Sequence, residues 1–216
     1  MKRDIDMNEV SDGKRYTSSD LAKLGCSDCA GCSDCCQGMG ESIILDPYDI
    51  YQLTNGLDCT FQELLQGKVE LNIVDGVILP NLALTGNGES CNFLNAEGRC
   101  SIHAIRPGFC RLFPLGRIYE DHTFHYFLQV HECKKENRTK IKISKWLGIP
   151  NLKQYEEFVT DWHYFLNDVT ENLKEMENEE MIKNAAMGLV KLFYFMPYDP
   201  ERDFYEQYYE RKKMLV

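Results

Sequence analysis

Five cysteines crowd into the eleven residues CSDCAGCSDCC: Cys26, Cys29, Cys32, Cys35 and Cys36. Two cysteines separated by two residues can bend their sulfurs onto one metal ion, a recurring feature of zinc and iron–sulfur sites. The adjacent pair Cys35-Cys36 points its sulfurs in different directions, so each can serve a different metal or cluster. The small and polar residues between the thiols let the backbone turn tightly and offer N–H groups to sulfur. Four further cysteines extend the account. Cys91 and Cys100 flank a stretch containing Asn95 and Gly98, a turn that brings its ends together. Cys110 follows the rigid Arg106-Pro107-Gly108, and Cys133 ends the tripeptide HEC. These nine are the expected metal ligands. Cys59, the tenth, stands apart in LDCTFQELL and reads as a buried structural thiol.

Three rival uses of thiols fit less well. A disulfide framework is compatible with the even count. The chain opens, however, with MKRDIDMNEVSDGKRYTSSD, which carries no apolar secretory segment. That points to the cytoplasm, where disulfides are rare. A catalytic cysteine with a histidine base needs one or two thiols, not nine. A thioredoxin-type CxxC needs a βαβ setting that the flanking sequence does not supply. Metal uses all nine, and its identity stays open between zinc and an iron–sulfur cluster, because soft thiolates suit both. The ferredoxin spacing C-x2-C-x2-C-x3-C-P is not reproduced: Cys29, Cys32 and Cys35 give three positions, and the next cysteine is adjacent. The C-x3-C-x2-C run of radical enzymes that use S-adenosylmethionine is absent as well. Eight or nine thiolates suffice for two four-ligand centres or for one polynuclear cluster.

CAGCSDCC at 29–36, CNFLNAEGRCSIHAIRPGFCRLFPLG at 91–116 and HEC at 131–133 together resemble the YkgJ-type cysteine-cluster family. Its CxxCxxCC signature marks a zinc- or iron-chelating domain. The resemblance covers residues 26 to 133 and implies a framework of Cys29, Cys32, Cys35, Cys36, Cys91, Cys100, Cys110 and Cys133, with Cys26 outside it by position. The family includes flagellin lysine N-methylases, in which a similar domain belongs to a larger protein. No methyl-donor fingerprint occurs in this chain.

Other residues gather around the cysteines. His103, three residues after Cys100, is placed to ligate metal or to donate a hydrogen bond to a thiolate. With so many cysteines present, a satisfied histidine is the simpler reading. His131 and Glu132 read as solvated neighbours of Cys133. Arg106 and Arg111 flank Cys110, and they either offset the charge of a thiolate-rich centre or form surface ion pairs.

The elements that must position these residues can be read from caps and periodicity. A short helix is expected over 18–24, capped by Ser18 or Ser19. DPYDIYQLTNG predicts a second, with Pro47 in its first turn and Gly56 as its stop. TFQELLQG predicts a third. VELNIVDGVILPNLAL predicts a hairpin about Asp75-Gly76, and LGRIYEDHTFHYFLQV another, turning near Glu120 to His122, with HTFHYF a half-buried strand. From Ser144 onward the pattern is helical. Tyr155, Phe158, Trp162, Phe165, Val169 and Leu173 recur at intervals of three and four, and further helices are expected over 179–195 and 200–213. The tyrosines of FYEQYYERKK pack on the cysteine domain, or leave a surface for a protein partner or a second copy.

The fold class is therefore α+β: a small metal-centred cysteine-rich domain with short hairpins, followed by a C-terminal helical segment. The expected division is a polar segment 1–25, a cysteine-cluster domain 26–143 and a helical extension 144–216 packing on it. A hydrophobic fraction of 44% and a charged fraction of 27% are those of an ordinary globular protein. No apolar stretch approaches the roughly 20 residues that span a bilayer. A net charge of -10 argues against nucleic acid, with the basic clusters KISKW and ERKK read as solvated faces. Three classes of function stay open. One is a metal- or cluster-binding protein with a structural, chelating or electron-transfer role. Another is an iron–sulfur-dependent enzyme such as a protein-lysine methyltransferase or an oxidoreductase. The third is a zinc-stabilised interaction scaffold.

Overall fold

The computed structural model describes residues 6–26, 32–39, 42–85 and 90–215. Among the described residues four two-stranded antiparallel sheets occupy the first two thirds of the chain and helices predominate in the remainder, an α+β architecture. A one-turn helix α1 (Met7–Val10) leads into a segment that bridges the later hairpin, with Tyr16 opposite Tyr126. β1 (Leu21–Gly25) then pairs with the distant β8 (Thr139–Lys142), Leu21 opposite Lys142 and Gly25 opposite Thr139. The helix expected over 18–24 is thus a strand. Ala22 and Leu24 are buried while Leu21 and Lys23 are exposed, the period-two pattern of a half-buried strand. The polar residues before it close a turn instead of capping a helix: Asp20 Oδ2 accepts the Thr17 N–H at 2.7 Å.

α2 (Pro47–Leu57) starts where its caps dictate. Asp46 Oδ1 accepts the Asp49 N–H at 2.9 Å, and Asp49 Oδ2 accepts the Asp46 N–H at 3.1 Å. Gly56 does not stop the helix, which runs on to Asp58 in the left-handed region (φ 50°). A Cβ at Gly56 would press on the Ile105 side chain, so the glycine admits the 3-10 turn His103–Ile105. α3 (Phe61–Leu64) carries a second reciprocal cap between Thr60 and Glu63.

Both expected hairpins form. β2 (Val69–Val74) and β3 (Val77–Leu82) join through Asp75 and Gly76, whose φ values of 51° and 87° are those of a type I′ turn. Residues 43–45 lie along β3, where the Leu45 N–H donates to Pro80 O and the Leu82 N–H to Ile43 O. β4 (Leu84–Thr85) pairs with β5 (Ser90–Cys91). After the short α4 (Gly108–Leu112), β6 (Leu115–Glu120) and β7 (Thr123–Leu128) turn through Asp121 and His122, both at positive φ.

The helices α5 (Ile143–Leu147), α6 (Leu152–Glu175), α7 (Glu179–Val190) and α8 (Phe204–Lys213) follow, with a π-helical turn Lys191–Phe195 after α7. α8 begins later than the pattern implies because Asp203 caps it, accepting the Glu206 N–H at 3.0 Å. Of the α6 stripe, Tyr155, Phe158, Trp162 and Leu173 are buried, and Phe165 and Val169 pack beside them. Tyr48 of α2 stacks on Tyr205 of α8; Tyr205 and Tyr208 are buried in the core, and Tyr209 is exposed. No described helix is long and apolar enough to cross a membrane.

ERKK is not wholly a solvated face. Arg211 is buried, donates to the carbonyls of Leu192, Met196 and Pro197 at 2.7–2.9 Å, and stands 3.4 Å from the Tyr198 ring centre. Lys212 bonds Asp161 of α6 at 2.6 Å. Arg211→Ala is expected to lower unfolding stability by about 2 kcal/mol, since it strips three carbonyls of a charged donor. An unchanged urea midpoint would show that water replaces those bonds without loss.

Candidate metal centre

Local pairings deliver the cysteines to one place. Gln37 bridges Ser90, which sets the 3-10 turn Asp34–Cys36 beside β5 and brings Cys35 and Cys36 toward Cys91. From Cys91 the chain doubles back: the Arg99 N–H donates to Asn95 Oδ1 at 2.7 Å, Gly98 takes φ 70°, and Leu94 bridges Cys100. Asn95 and Gly98 therefore act as expected. Cys110 rides on α4. Cys26 leaves β1 next to β8, whose approach carries Cys133.

One cavity collects them. Its wall includes Cys26, Cys32, Cys35, Cys36, Cys91, Cys100, Cys110 and Cys133, completed by apolar side chains such as Ile43, Leu82, Ile102, Phe113 and Trp146. Cys29 lies outside the described residues. Cys59 is half-buried against the core between α2 and α3 and does not line the cavity. The enclosed space is about 80 Å³, several times the roughly 10–15 Å³ that one water needs. Among the described residues Cys32, Cys35, Cys36, Cys59, Cys91, Cys100, Cys110 and Cys133 are free thiols. Among the described residues no three ligating side chains converge tightly enough to hold an ion as placed; the thiols share a cavity rather than a point.

The thiols differ in acidity. Cys36 donates to Cys35, which lowers Cys35 to about 7 and raises Cys36. Burial raises Cys91, Cys100 and, most strongly of these three, Cys110. A cation entering this donor set displaces protons from most of it, so thiolate ligation and proton release go together. The donor chemistry fits zinc, iron or an iron–sulfur cluster.

α4 is held from behind by residues that spacing alone did not single out. Asp49, buried on α2, accepts the Gly108 N–H at 2.7 Å with Oδ1 while Oδ2 closes the α2 cap. Burial raises its carboxyl above the usual carboxylate range, and both of its oxygens accept backbone N–H bonds. Gly108 leaves room for the Tyr155 hydroxyl, where a Cβ would fall. The available signal was an acid three residues into α2, on the same face as Ile50 and Leu53.

The basic neighbours divide. His103 lines the cavity, with Arg106 Nη1 standing 2.7 Å from its Nε2. His131 and Glu132 are exposed, and Glu132 reaches the cavity rim. Arg106 lines the cavity, whereas Arg111 bonds the carbonyls of Ala104 and Arg106.

Residues 28–142, more than half of the chain, match the CxxCxxCC family, described as a "putative zinc- or iron-chelating domain". No curated protein and no solved structure matches the chain. With Cys32, Cys35 and Cys36 of the CxxCxxCC run and every later cysteine of the framework lining one cavity, the chain belongs to this cysteine-cluster family and is a metal-binding protein.

Proposed function

We propose that the chain is an iron–sulfur protein whose cluster or clusters are held by Cys29, Cys32, Cys35, Cys36, Cys91, Cys100, Cys110 and Cys133, with Cys26 at the same wall. The observation that carries this reading is the convergence of eight described thiols, from positions more than 100 residues apart, on a single apolar-walled cavity. A lone structural zinc needs only four ligands. The chain also has a continuous core from Ala22 to Tyr208, so it does not depend on a metal staple in the way that very small domains do. A dry wall around sulfur ligands suits a centre whose potential must be set.

When bound, such a cluster supplies one-electron transfer. The chain's part is to provide thiolates, to exclude water with Ile43, Leu82, Phe113 and Trp146, and to fix α4 through Asp49. A reducing cytoplasm is the compartment this chemistry suits. The test is purification without oxygen, with iron, zinc and acid-labile sulfide measured on one sample beside its visible spectrum. Iron and sulfide in similar amounts with a brown colour are expected. Zinc without sulfide or colour would replace the cluster by a structural site. Thiols found paired, with neither metal, would sink the reading altogether.

A further inference from the structure

Two arginines flank Cys110, and their bonds differ. Arg111 spends its donors on the chain: Nε donates to Arg106 O at 3.0 Å and Nη2 to Ala104 O. Those bonds tie the His103–Ile105 turn to α4. Arg106 lines the cavity instead. Its Nη1 meets the His103 ring, while its Nε is buried and has no hydrogen-bond partner among the described residues. A buried guanidinium N–H without an acceptor is costly, and such a group calls for an explanation. The cavity offers sulfur as the acceptor. Arg106 shares the lining of that cavity with Cys35 and Cys100.

We propose that Arg106 is a positioning residue of the metal centre: its Nε–H donates to a sulfur on the Cys35–Cys100 side, and its charge offsets the thiolates there. His103 then serves as the support that holds the guanidinium. This inference rests on the metal-centre reading above, and it goes beyond that reading by assigning the charge balance to Arg106 and the bracing of the turn to Arg111. A guanidinium suits the task because it stays charged and presents its N–H groups in a fixed plane, which an ammonium on a flexible stem does not.

The test compares Arg106→Gln and Arg106→Lys with the wild-type chain, each purified without oxygen. One readout is the rate at which EDTA strips the bound metal. The other is the reduction potential of the coloured form. Arg106→Gln is expected to carry the same metal per chain as isolated, to lose it about tenfold faster, and to be tenfold harder to reduce. For one electron that factor is about 59 mV toward negative potential. Arg106→Lys, with the charge but not the planar fork, is expected to lie between. Wild-type stripping rates and potentials in both variants would overturn the proposal. So would a lower melting temperature of the metal-free variants with neither readout moved, since that is the signature of a merely structural arginine. If Arg106→Gln fails to fold, Arg106→Lys decides alone: a stripping rate equal to wild type overturns the proposal. The stripping rate reads Arg106 whichever metal is bound, whereas iron, sulfide and colour read the proposed function.

Discussion

Cys110→Ser is expected to lose its metal, and Cys59→Ser to keep it. The two cysteines are chemically alike and both partly covered, but only Cys110 lines the cavity. Burial, with the Asp49 charge next in effect, raises the Cys110 thiol well above its usual range. At neutral pH the metal-free side chain is therefore protonated, and a metal must displace that proton to bind. Sulfur permits this because a thiolate is a soft, strong ligand. A serine hydroxyl holds its proton far more tightly and offers a hard oxygen in its place. At least a tenfold drop in metal retained through chelator and gel filtration is expected for Cys110→Ser. A lower melting temperature should accompany it, because metal-binding free energy adds to folding free energy. Melting the metal-free forms separates the two effects: there the variant should match wild type closely. Full metal retention in Cys110→Ser would remove Cys110 from the centre, and metal loss in Cys59→Ser would show that Cys59 belongs to it.

What could be read from the sequence was whatever short-range chemistry decides. Asp75-Gly76 and Asp121-His122 mark their turns because those positions need positive φ. Pro47 in the first turn marks the start of α2, and the structure adds the Asp46 and Thr60 caps that open α2 and α3. The cysteine spacing pointed to a shared site, and eight described cysteines line one cavity. The misread element is the one whose partner is remote. β1 is a strand because Leu21 to Gly25 find Thr139 to Lys142 across the molecule, and no local pattern announces a pairing of that span. Arg211 was misread for a related reason. A charged residue in a basic run looks solvated until the carbonyls of a π-helical turn and of the two residues after it fold against it. Asp49 was not singled out in the sequence and Tyr155 was one ring of the α6 stripe; that both meet Gly108 depends on α2, α4 and α6 arriving together.

That meeting point gives the second large effect. Gly108→Ala is expected to cost about 3 kcal/mol of unfolding stability, as for an overpacked core position, and to take metal retention down with it. The added methyl would fall on the Tyr155 hydroxyl, with Asp49 Oδ1 at 3.5 Å on its other side. Neither neighbour can swing away cheaply. Tyr155 is fully buried, its ring packs on Tyr48, and its hydroxyl lies 3.4 Å from Arg117 Nη2. Asp49 is fixed by its two accepted N–H bonds. The element most able to yield is the five-residue α4, and any shift of α4 moves Cys110 two residues on. Adding Tyr155→Phe to Gly108→Ala removes the clashing oxygen and leaves a ring carbon 3.3 Å from the methyl, a contact that small adjustments relieve. Tyr155→Phe alone should cost about 1 kcal/mol for its long hydrogen bond. In the pair, its effect should turn favourable, which needs a coupling larger than that cost, about 2 kcal/mol. Urea midpoints of the three variants measure that coupling, and metal retention in the same samples shows whether Cys110 returns to place. Additive losses would mean that the hydroxyl is not the obstacle. A coupled recovery of stability without recovery of metal would mean that α4 can settle in more than one position, only one of which presents Cys110 to the centre.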